Sequence, residues 1–131
     1  MFYKESKAVI VTNNKKVCEK YAKVVDVKVA ENYIGVLTTA KYMVSDGYVL
    51  LTHPQAGSLK PNQTPYRSVM LEKGSSGGTD VNGVMLLDSA IETYHKFIKN
   101  HPVPIYEESI ADDHRTIDQS LIDNAIRNYL K

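Results

Sequence analysis

A chain of 131 residues, 43% of them hydrophobic, is sized for one α/β domain spanning residues 1–131, and a formal net charge of +1 leaves no global field to gather nucleic acid or an anionic membrane. The single cysteine, Cys18, rules out an intrachain disulfide and a zinc site built on several cysteines. MFYKESKAVIV lacks a signal-peptide core, and no apolar run reaches the roughly 18–20 residues that a spanning helix needs, so a cytoplasmic location is the simplest expectation.

Residues 8–11 form a short apolar run that ends at Thr12, Asn13 and Asn14, where an asparagine suits a helix cap. The pattern predicts a strand running straight into a helix over residues 15–23, with Val17 and Tyr21, and Cys18 and Ala22, at one-face spacing. Val25, Val27 and Val29 alternate with Asp26 and Lys28, the period of a strand near a sheet edge. Asn32 is the next candidate cap, and Tyr33, Val36, Leu37, Ala40, Met43 and Val44 follow helical spacing. Gly47 offers a left-handed stop, and YVLL at 48–51 reads as a buried central strand. Strand–helix–strand–helix–strand predicts a three-layer open sheet, mainly parallel and Rossmann-like, with the strand at 24–29 on the edge and the first strand between it and the third.

The rhythm breaks after Leu51. The segment THPQAGSLKPNQTPYR, residues 52–67, holds Pro54, Pro61 and Pro65 and predicts neither helix nor strand. Residues 68–71 resume strand character in an undetermined direction, and residues 74–78 read as a glycine-rich turn. Asp80 is a candidate cap for a helix reaching Asn100, with Gly83 as its weak point and Val84, Leu87, Ile91, Tyr94 and Ile98 as its apolar face. The stretch 105–115 looks polar and irregular, Thr116 with Gln119 suggests a capping box, and a C-terminal helix is expected over 117–130.

Structureless loops longer than about 12–15 residues are uncommon in compact domains and often carry function. The proline-rich loop leaves the C-terminal end of a strand, the edge at which open α/β sheets bind ligands. His53, Lys60 and Arg67 offer positive or switchable charge, Thr52, Ser58 and Thr64 offer hydroxyls, and Gly57 permits close approach to the backbone. Those residue types point to a pocket for a small anion, a phosphate or a carboxylate. Asn13 and Asn14, at a helix start on the same edge, could add backbone N–H groups to it. The competing reading is a proline-stiffened structural loop, with the asparagines acting only as caps.

Other constellations are weaker. There is no GxGxxG after the first strand, no GxxxxGK[ST] and no GxSxG elbow. His95, His101 and His114 lack metal-ligand spacing, so no metal site is expected, and no cofactor follows from the motifs. Asp112, Asp113 and His114 read as a solvated turn, and Cys18 as an inert thiol on an inward helix face.

The string LLTHPQAGSLKPNQTPYRSVML, residues 50–71, resembles the most distinctive segment of the GrdX family. IVTNN at 10–14, LLDSAIETYHKF at 86–97 and IDQSLIDNAI at 117–126 are similar to other parts of it. The resemblance implies a small protein encoded with glycine reductase or a related amino-acid reductase, in anaerobic amino-acid fermentation. With no redox motif here, it implies an accessory, regulatory or ligand-binding role with reductase components as partners, and it assigns no residue a role. Two alternatives stand beside it. One is a small enzyme on a phosphorylated or amino-acid substrate, with His53 as acid/base and Lys60 and Arg67 as the anion clamp. The other is an interaction module forming a homodimer through its terminal helix.

Overall fold

The computed structural model describes residues 7–74 and 78–129. In chain order they form β1 (Ala8–Thr12), α1 (Lys15–Tyr21), β2 (Asp26–Val29), α2 (Tyr33–Ser45), β3 (Tyr48–Leu50), β4 (Ser68–Lys73), α3 (Val81–Asn100) and α4 (Glu108–Tyr129). One open four-stranded sheet has the order β2-β1-β4-β3.

Side chains that alternate along the strands divide the core into two layers. Val9, Val11, Val69 and Leu71 point to one face, where Val36, Leu37 and Val44 of α2 and Leu87 and Ala90 of α3 cover them. Ala8, Ile10 and Met70 point to the other face, under Val17 and Tyr21 of α1 and Ile122 and Ile126 of α4. All five residues of β1 are buried, as a strand covered on both faces and both edges must be.

The expected mainly parallel sheet is corrected to a mixed one. β1 and β2 pair in parallel, but β4 runs antiparallel to both β1 and β3. The Rossmann-like order also fails, because β4 sits between β1 and β3. YVLL was expected at the centre; β3 instead lies on an edge with Val49 38% exposed. The physical reason is the loop at 52–67. It turns the chain back at the sheet edge, so the next strand re-enters against the others and takes the central slot.

Local signals hold where a side chain caps a helix. Asn14 Oδ1 accepts from Lys16 N, Asn32 Oδ1 from Gly35 N and Asp80 Oδ1 from Gly83 N. Gly83 is required, since a Cβ there would lie 2.4 Å from Asp80 Oδ2, the oxygen that also accepts from Leu50 N. Gly47 takes the left-handed backbone, at φ 105°. Of the glycine-rich turn, residues 75–77 fall outside the described residues.

The C-terminal helix is longer than expected. α4 begins at Glu108, so residues 108–115 of the stretch expected to be irregular are helical, residues 105–107 are not, and Thr116 lies inside the helix. Its buried stripe is Ala111, Arg115, Asp118, Ile122 and Ile126. The first half of that stripe is mostly polar, which hides it from a search for apolar periodicity. Among the described residues, no helix is long and apolar enough to cross a membrane.

Candidate functional site

Three chain segments meet at the C-terminal end of β1. Thr12 pairs with Ser68, the first residue of β4, so the end of the 52–67 loop lies beside the turn into α1. Asn13 fastens them: its Oδ1 accepts from Arg67 N at 2.9 Å and its Nδ2 donates to Pro65 O at 2.8 Å. Asn14 Nδ2 reaches the third segment, donating to Arg115 O at 2.8 Å and to Asp118 Oδ2 at 3.0 Å in α4.

A directed chain of hydrogen bonds runs beneath this junction. Ser68 Oγ donates to Asp118 Oδ2 at 2.6 Å. With the serine proton spent there, the 2.6 Å contact between Thr12 and Ser68 must be donated by Thr12. Thr12 Oγ1 in turn accepts from Asn14 N at 2.9 Å. Every donor points toward Asp118, whose Oδ2 receives two hydrogen bonds. Thr12, Asn14, Ser68 and Asp118 are all buried.

Arg67 is also buried, with 3% of its surface exposed. One guanidinium nitrogen donates to Ala56 O at 2.9 Å and to Pro54 O at 3.3 Å, drawing the loop over the side chain. The guanidinium carbon sits 5.5 Å from the centre of the Tyr33 ring, and that ring stacks on Tyr94. Arg67 makes no ion pair among the described residues. Burial pushes the Tyr33 hydroxyl above its ordinary pKa, while Arg67 draws it down and Asp118 raises it, so the ring senses both charges.

Between the loop and α4 lies a cavity of about 10 Å³, lined among others by Gly57, Thr64, Arg67, His114, Asp118 and Leu121. Among the described residues, three buried polar side-chain atoms lack a hydrogen-bond partner: Arg67 Nε, His114 Nδ1 and Asp118 Oδ1. All three belong to side chains that line this one cavity. Buried polar groups are ordinarily satisfied, so an unpartnered donor and an unpartnered carboxylate oxygen at one void mark it as a place for something polar.

Of the residues anticipated as ligands, Gly57, Ser58, Thr64 and Arg67 line the cavity. Gly57 takes φ 90°, and a Cβ there would meet Leu121 Cδ1 at 3.1 Å, which lets the loop lie close on α4. The others stand elsewhere. Thr52 Oγ1 accepts from Met70 N and extends the β3–β4 pairing. His53 is exposed, its Nδ1 accepting from Gln55 N. Lys60 is exposed, with Nζ 5.3 Å from the centre of the Phe97 ring. The backbone N–H of Asn13 donates to Arg67 O and that of Asn14 to Thr12 Oγ1, and both side chains are likewise engaged within the protein.

Sequence reasoning missed the α4 half of the wall. The pattern places Leu121 on the apolar face of the last helix but gives no sign of Asp118, and His114 reads as part of a solvated turn. The available signal was the spacing of Ala111, Arg115 and Asp118, which continues the stripe of Ile122 and Ile126 backward with the same helical period. A second buried cation lies on α4 outside the cavity lining. Arg115 pairs with Glu108 and Asp112 and donates to Tyr66 Oη at 2.6 Å. Cys18 is half-buried, and burial is the main cause that raises its thiol pKa. No group of three or more His, Cys, Asp or Glu among the described residues could hold a metal ion.

Fold and site together define a mixed three-layer α/β protein with a small cavity between a proline-rich loop and its C-terminal helix. The chain belongs to the GrdX-like protein family, whose model matches residues 9–127 and so takes in nearly all of the sheet and helices. No curated protein and no solved structure matches it.

Proposed function

We propose that this protein is a non-catalytic binder of a small ligand carrying an anionic group, serving an accessory or regulatory role in an amino-acid reductase system such as glycine reductase. The observation that supports it is Arg67. A guanidinium this buried normally has a carboxylate partner, because an unpaired buried charge is costly. Here Nε has no partner, and the side chain lines a void under the family's most distinctive segment. A ligand carboxylate or phosphate would complete the pairing, and Ser58 and Thr64 beside it offer hydroxyls.

An NMR titration with acetate and with inorganic phosphate tests the ligand. Amide shifts should move in residues 56–67 and 114–121, and Arg67→Met should abolish the change. Unmoved spectra at millimolar anion would remove the binding role. The partner is tested separately by affinity capture from an anaerobe expressing the reductase. Reductase subunits should co-purify under native conditions. Their absence, with no phenotype on deletion, would sink the accessory role and leave the ligand result standing.

A further inference from the structure

Two buried residues of opposite charge type, Arg67 and Asp118, each 3% exposed, line the cavity, and no ion pair joins them. Each keeps one atom unused: a donor at Arg67 Nε and an acceptor at Asp118 Oδ1. Asp118 Oδ2 already accepts from Ser68 Oγ and Asn14 Nδ2, which leaves Oδ1 as the oxygen free to receive a donor. An occupant must therefore bring an acceptor, best an anion, to one side and an N–H donor, best a cation, to the other. Phosphate or a dicarboxylate meets only half of this requirement and places negative charge against the free oxygen of Asp118.

We infer that the cavity is the core of a site for a small zwitterion, an α-amino acid, whose carboxylate Arg67 receives and whose ammonium Asp118 receives. This rests on the anion-binding reading above and adds the second pole to it. The void of about 10 Å³ holds no more than a water molecule, so the ligand enters by displacing the loop from α4. The loop is held there by Gly57 against Leu121, by Tyr66 Oη accepting from Arg115 at 2.6 Å, and by Tyr106 Oη donating to Gln63 O at 2.7 Å. Arg67 itself holds the loop through Pro54 O and Ala56 O, so a ligand that engages Arg67 acts on the same side chain that seats the loop.

The test is calorimetry on the whole protein with four probes: glycine, acetate, methylammonium and inorganic phosphate. Glycine should bind at least ten-fold tighter than acetate, methylammonium or phosphate. Asp118→Asn should cost glycine ten-fold or more and bring it to the level of acetate, while acetate binding is kept or improved. Retained acetate binding also reports that the variant is folded. If that variant misfolds, the ranking of probes on the unaltered protein decides alone. Glycine no tighter than acetate, or phosphate tighter than glycine, overturns the zwitterion and leaves the anion reading intact. Four probes without heat or spectral change overturn both, and the cavity then holds only water.

Discussion

Two arginines, nearly equally buried at 3% and 5% exposure, stand on opposite walls of the same junction and have different surroundings. Arg115 is saturated. Nε goes to Asp112, one terminal nitrogen to Tyr66 and the other to Glu108. Burial opposes its charge, but Asp112, Tyr66 and Glu108 outweigh burial and raise its pKa. Arg67 has two backbone carbonyls, an aromatic face and an idle Nε. Burial of a charge therefore identifies nothing by itself. The pairing separates a residue whose donors are all engaged from one with a donor left over.

Substitutions should break that comparison in a graded way. The largest loss is expected from Asp118→Ala, which strands the donors of Ser68 and Asn14 in the interior. About 3 kcal/mol should disappear in chemical denaturation. Arg115→Met comes next, at about 2 kcal/mol, a figure held down because Glu108 and Asp112 can turn to water. Gly57→Ala combines a left-handed backbone with a tight contact on Leu121 and should cost about 1 kcal/mol, with thermal melting as the measurement. Arg67→Met should change stability by less than about 1 kcal/mol in either direction while removing ligand binding, since it deletes an unpaired charge along with two neutral contacts. A loss from Arg67→Met as large as that from Arg115→Met would erase the distinction between them.

The smallest effect is on pH, and it falls on the Arg115 side of the molecule. Asp112 is held below the ordinary carboxylate range by Lys16 and Arg115. Burial pushes Asp123 up, but Tyr21 and Lys20 outweigh it and leave its pKa lowered. Both carboxylates join α4 to α1. A depressed folded value means that their contribution is complete above the unfolded value, about 4, and is lost as pH falls through the folded one. Denaturation midpoints should therefore hold from neutrality to about pH 5 and drop below about pH 4, less steeply in high salt. A midpoint indifferent to acid would show that these pairs do little to seat α4.

Much of this organisation was legible in the residues. Caps at Asn14, Asn32 and Asp80 and the stop at Gly47 are local devices, and each is where its side-chain chemistry requires. Arg67, Gly57, Ser58 and Thr64 could be suspected because the loop is long and rich in proline. What was not legible depends on contacts distant in sequence. The antiparallel entry of β4 is decided by how the loop returns, and hydrophobic pattern carries no arrow of direction. The first half of α4 escaped because Arg115 and Asp118 do inside the protein what leucine does elsewhere, filling a helical stripe with groups that a polarity scale assigns to water. His53 and Lys60 looked promising by residue type, yet residue type says nothing about which way a loop turns its side chains.

The central slot of β4 has a consequence for the order of assembly. Without it, β1 and β2 form a pair and β3 has no strand beside it, so the first fifty residues cannot close their own sheet. Folding must bring Ser68–Lys73 back between two strands that precede it, a non-local step of the kind that slows a chain. The proline-rich segment is the tether for that step, and the prolines shorten its search by narrowing the conformations it can visit. The stretch that walls the cavity is thus also the one that lets the last strand arrive, and any change that softens it should be felt first in the refolding rate.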